Sequence, residues 1–193
     1  MFYSLKNSEI LKIRNDIFLQ NAFPILEQNG FVKSPFLDAN FGRNYSNSQL
    51  YIYEMCRLEN SNLEFLTTYI SLRDRYIQIF LNIFHLSPIP KNISELENIS
   101  GMKFYLPPNN QKEERLDIDM LKTIPLFSYR FWFENYKLKS FHTKFGFNMA
   151  IKKLKYLIER DMKNINFFVE KWRQFHKPNI TDWEGNIIEL NNP

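Results

Sequence analysis

The side chains that could do chemistry in this sequence are few and scattered. One cysteine, Cys56, stands in the run Met55-Cys56-Arg57, and three histidines stand at His85, His142 and His176. A thiol nucleophile needs a base within reach, so Cys56 with His85 would serve if folding set their two segments side by side. Between apolar neighbours on a strand, the same thiol reads as a small inert hydrophobe. Asp117 and Asp119, with Glu113-Glu114 just before them, offer oxygen ligands to a divalent cation. They equally suit the first turn of a helix, where acids meet the positive end of the dipole. No two histidines are spaced four apart, and one cysteine cannot build a thiolate zinc site, so no metal is expected. The five glycines, Gly30, Gly42, Gly101, Gly146 and Gly185, are isolated, which excludes both the dinucleotide fingerprint and the Walker loop, and no cofactor is expected.

Charge is more informative than catalytic chemistry. Residues 136–177 hold 11 Lys and Arg against 3 Asp and Glu, a balance of +8, whereas residues 1–135 hold 14 against 15. Lys152, Lys153, Lys155, Arg160 and Lys163 make a candidate basic binding face, the lysines 152, 155 and 163 lying opposite the stripe Leu154, Ile158 and Met162. Such a face is either plain solvated helix surface or a contact for phosphates or an acidic protein surface. Phe141, Phe145, Phe147, Tyr156 and Trp172 interleave with these lysines, as in proteins that stack bases, but most fall near the helical stripe and read as core.

The elements that must position these groups follow from periodicity. Ile10, Leu11, Ile13, Ile17, Phe18, Ala22, Ile25 and Leu26 recur at helical spacing over residues 8–29, with Asn29-Gly30 as the stop and a bend near Asn21 imposed by Pro24. Alternation and aromatic content predict three strands, about residues 50–58, 63–72 and 76–86, joined by Asn60-Ser61-Asn62 and Arg73-Asp74-Arg75 into an antiparallel meander. The third is apolar on both faces in part, as a strand in the middle of a sheet would be. Met102 to Leu106 reads as an edge strand, Glu113 to Lys122 as a short helix and Leu126 to Phe133 as another strand. The longest helical stripe, Ile151, Leu154, Ile158, Met162, Ile165, Val169 and Trp172, predicts a helix over 147–175 that Asn164 or Asn166 divides. After Pro178, Trp183-Glu184-Gly185-Asn186-Ile187 reads as a tail with one turn.

The fold class is therefore α+β: an antiparallel meander packed against an N-terminal helix and a long, broken C-terminal helix, in one domain over residues 1–193. With 19 Phe and 10 Tyr against 5 Gly, the chain has a sizeable core to bury and is neither disordered nor low in complexity. A lone cysteine suits a reducing compartment, early charges leave no room for a signal peptide, and no stretch approaches the ~20 apolar residues of a membrane span. A cytoplasmic protein with no membrane partner is expected.

The layout of Phe23-Pro24-Ile25-Leu26-Glu27-Gln28-Asn29-Gly30-Phe31 followed by strands, over about the first ninety residues, resembles small bacterial α+β domains found among immunity proteins. The resemblance implies a non-enzymatic bacterial protein that binds another protein, as an immunity protein or a small subunit of an antiviral defence complex. Immunity proteins directed at nucleases tend to be acidic mimics of nucleic acid, and the basic balance here departs from them. The alternative expectation is a nucleic-acid-binding protein that uses the basic C-terminal helix.

Overall fold

A computed structural model describes residues 3, 5–44, 49–105, 114–116 and 136–189. The chain opens with α1, Asn7–Ile17, started by a reciprocal cap in which Glu9 accepts the Lys6 amide at 2.7 Å. Pro24 has no N–H to return to the preceding turn. The helix answers by widening into a π-helical turn, Phe18–Ala22, before continuing as α2, Phe23–Gln28, and Asn21 donates its side-chain amide to the Ile17 carbonyl at 2.9 Å across the bend. Gly30, at φ +84°, ends α2 in the left-handed conformation, with the Phe31 amide reaching back to the Leu26 carbonyl at 3.0 Å.

Three ten-residue strands form the meander: β3, Leu50–Glu59; β4, Asn62–Ser71; and β5, Ile77–Leu86. Two short strands, β1, Val32–Lys33, and β2, Phe41–Arg43, both pair with β3. Asn60 and Ser61, both at positive φ, close the β3–β4 hairpin as a two-residue turn whose twist matches its strands. β5 lies inside the sheet: β4 flanks one side, and the other takes β6, Glu114–Arg115, and the parallel strand β7, Asn179–Thr181.

The C-terminal helix is two helices, α4, Lys144–Lys163, and α5, Ile165–Phe175, with the break at Asn164. Thr143 caps α4 through its hydroxyl, which accepts the Gly146 amide at 3.1 Å. Asn164, at φ −103° and ψ 24°, leaves helical geometry, and its side chain bonds the Arg160 carbonyl.

Side chains alternate along the strands, so the register divides the sheet into two faces. On one, Met55, Leu66, Ile77, Ile79, Leu81 and Ile83 share a core with Ile17 and Phe18 of the N-terminal helices and with Leu154, Ile158, Met162, Ile165 and Trp172 of the C-terminal pair. On the other, Cys56, Leu63, Phe65, Phe84 and Leu86 meet Phe36, Leu96 and Phe104 from irregular segments. The antiparallel meander packed on one face against an N-terminal helix and a broken C-terminal helix is the α+β architecture expected.

Three expectations are corrected. Met102 to Leu106 is no edge strand: Met102–Tyr105 is a helical turn, α3, because Phe104 is driven into the aromatic cluster of Phe36, Phe65 and Phe84, leaving no strand neighbour for this backbone. The segment after Pro178 is no tail: β7 pairs with β5 and with β8, Ile187–Glu189, so it completes the sheet's hydrogen bonding at that edge. The helix expected at Glu113 to Lys122 contains β6 instead at 114–115, and its other residues except 116 lie outside the described residues. So do the expected strand Leu126 to Phe133 and the pair Asp117 and Asp119.

Candidate binding face on the first C-terminal helix

α4 has two stripes of opposite character. Its inner side buries Phe147, Leu154, Leu157, Ile158 and Met162. Its outer side carries Phe145, Met149, Lys152, Tyr156 and Lys163, separated by steps of four, three, four and seven, which keeps them on one line along the helix. Phe145 is 77% exposed, Met149 51% and Tyr156 65%, values that place large apolar surface in water on the side facing away from the core. Lys152, Lys153 and Lys163 are exposed beside them.

The five basic residues of the expected face are not equivalent. Lys155 is half-buried at the edge of the face. Arg160 turns towards Asp161, a fully buried carboxylate, and donates from Nε at 2.6 Å, while the Tyr136 hydroxyl bonds the other carboxylate oxygen at 2.5 Å. A guanidinium held there is committed to neutralising a buried charge and is not free to act as a phosphate fork. The aromatics also divide: Phe147 and Trp172 are core and Phe141 is half-buried, whereas Phe145 and Tyr156 are on the surface. Reading most of the five as core missed the outer line, although its steps of four and three are a signal visible in the residue order.

The possible thiol site is excluded by topology. Cys56 pairs with Phe65, which pairs with Asn82, so the strand carrying His85 is two strands away and three residues out of register. Parity places the two side chains on opposite faces of the sheet. Cys56 is also fully buried, and burial pushes its thiol well above the usual range, with a Ser34 hydrogen bond working against it. Among the described residues, no three His, Cys, Asp or Glu side chains gather as a metal site would require.

Two further buried carboxylates, unnoticed in the sequence, hold the sheet to its coverings. Glu64, on β4, accepts Arg57 Nε at 2.9 Å and Arg173 Nη2 at 2.8 Å, and Arg57 also donates to the Asn29 carbonyl at 2.8 Å and to Asn166 at 3.0 Å. One guanidinium thus joins the end of α2, the sheet and the start of α5. Burial raises the Glu64 carboxyl above its ordinary value, with Arg57 and then Arg173 opposing. Glu54, on the other face, accepts the Asn40 amide and the Asn40 side chain. Burial pushes its carboxyl up to about 7, against the bonds from Asn40 and Tyr105. Each carboxylate bonds groups from the segments that cover its face of the sheet, so both read as structural ties.

No helix among the described residues is long and apolar enough to cross a membrane. Comparison of the chain with protein-family models, with curated proteins and with solved structures finds no match.

Proposed function

We propose that this is a non-enzymatic binding protein whose outer α4 face docks an acidic surface of a partner protein. The observation that carries the reading is the row Phe145, Met149 and Tyr156, more than half exposed and interleaved with Lys152 and Lys163 on a helix whose opposite side already satisfies the core. Folding leaves this surface unburied, and exposed apolar rows rimmed by charge mark docking sites. Aromatics and Met are enriched at the centres of protein interfaces. The surrounding lysines, in a region of balance +8, would steer an acidic partner into register. With the resemblance of residues 23–31 to immunity-like domains, the partner class would be an effector to be blocked or a neighbouring subunit of a bacterial defence complex, in the cytoplasm.

Nucleic-acid binding through Lys152, Lys153, Lys155 and Lys163 with Tyr156 as a stacking platform is the second reading. It is favoured by the exposed tyrosine among lysines and disfavoured by the commitment of Arg160 to Asp161. A photo-crosslinking amino acid at position 156, introduced in the native host, tests both. The expected product is a single protein adduct that disappears when Phe145 and Met149 are changed to Ser. An adduct with nucleic acid, together with a mobility shift that weakens steeply with salt, would replace the first reading by the second. No adduct above that from the same group at position 91 would remove both.

A further inference from the structure

A pocket of about 430 Å³ opens between one side of α1, the β4–β5 connection and the strip 138–140, its lining including Asn7, Ile10, Arg14, Arg73, Arg75 and Lys139. Asn7, Ile10 and Arg14 fall on one side of α1 by their spacing of three and four. The strip opposite is fixed to the connection by the Leu138 amide, which bonds the Arg75 carbonyl at 2.9 Å. The walls are therefore held by backbone and not only by side chains.

The lining contains four cations and one carboxylate. Asp74 is occupied within its own turn, accepting the Arg75 amide at 2.6 Å, the Tyr76 amide at 3.2 Å and the Gln78 side chain. Arg14 lines the pocket while only 2% exposed. It donates Nη1 to the Tyr76 carbonyl at 2.9 Å and Nη2 to the Ser71 carbonyl at 2.7 Å, and its Nε has no partner. Among the described residues no carboxylate forms an ion pair with Arg14, Arg73, Arg75 or Lys139. A buried guanidinium hydrogen-bonded only to neutral carbonyls, with Asp74 near but not paired to it, is only partly compensated, a costly arrangement that an anion in the pocket would relieve. Burial lowers the Arg14 guanidinium to about 10, with Asp74 opposing, in keeping with that cost.

We infer that this pocket binds a small, multiply charged oxyanion, with Arg14 as the buried anchor and Arg73, Arg75 and Lys139 closing around it. Arginine forks match both phosphate and carboxylate oxygens, and the volume falls within the ~300–1,000 Å³ of small-molecule sites. The site is separate in its residues from the α4 face, so either can fail alone.

Calorimetric titration of the full chain with pyrophosphate and with citrate, at constant ionic strength, distinguishes the two oxyanion classes. The expected result is saturable binding of at least one, weakened roughly tenfold or more by the double variant Arg73→Ala, Arg75→Ala. Both residues are exposed, so their loss should leave the fold intact, which the melting curve checks; Arg14→Gln should weaken binding further wherever it folds. The charge-matched control Lys91→Ala, Lys171→Ala should bind as the parent does. No saturable binding of either anion overturns the inference. So does binding that the Arg73 and Arg75 changes leave intact, or that the control pair weakens equally.

Discussion

The two faces of the sheet bury their apolar residues against different kinds of chain, and their polar chemistry differs accordingly. The aliphatic face, with Ile77, Ile79, Leu81 and Ile83, is covered by helices whose backbone groups are bonded internally. Its covering meets the sheet mainly by shape, and the fully buried carboxylates there, Glu64 on the sheet and Asp161 on α4, are each paired with guanidinium groups. The aromatic face is covered by irregular segments around Phe36 and Phe104, whose amides have no ladder to enter. Side chains must satisfy them: Asp38 accepts the Gly101 amide at 2.9 Å and the Ser100 hydroxyl at 3.0 Å, and Glu54 accepts the Asn40 amide. The rings approach so closely that a Cβ on Gly101 would lie 2.5 Å from Phe36 Cγ. Covering a sheet with loops thus draws carboxylates inward, and Glu54 forms no ion pair with a cation among the described residues.

That contrast can be broken most strongly at Trp172. The indole is fully buried among the helices, and Trp172→Ala should cost about 3–5 kcal/mol, read from chemical denaturation. An unchanged midpoint would show that the helical cover is not what holds the aliphatic face. Glu64→Gln should cost about 2 kcal/mol, since it removes the buried partner of Arg57, with relief because Arg57 keeps the exposed Glu59 at 3.3 Å and Arg173 is partly exposed. A cost near zero would mean the cluster adds specificity without stability.

Glu54 should respond to pH in the opposite sense from an ion-paired acid. Its native pKa of about 7 lies above the ordinary 4.5, so the native state holds this proton more tightly. The stabilisation is full below about 4.5 and is lost as pH rises through about 7. Glu54→Gln, permanently neutral, should therefore gain on the parent by about 2 kcal/mol between pH 5 and pH 8. A difference that does not change with pH would sink the assignment of Glu54 as a buried acid without a cation. The smallest effect belongs to neither face: Phe145→Ala and Tyr156→Ala, on the outer line of α4, should change stability by less than about 0.5 kcal/mol. A larger loss would make those rings part of the fold and weaken the docking proposal.

The residue order by itself determined the elements whose signal is local. The three long strands, the turn at Asn60-Ser61, the bend before Pro24 and the break at Asn164 each follow from spacing or from one residue's backbone limits, and all stand in the structure at or near their expected bounds. Only the tertiary structure decided what non-local contact controls. Met102–Tyr105 became helical because Phe104 found three rings. Residues 179–181 became a strand because β5 had an open edge. Whether Cys56 could meet His85 was a question of strand parity, which the pairing answered. Arg14 joined Arg73, Arg75 and Lys139 across more than a hundred residues of sequence, and no periodicity records such a meeting. Periodicity constrains which side of an element is apolar, whereas the neighbour that covers each side is chosen by the packing of the whole chain.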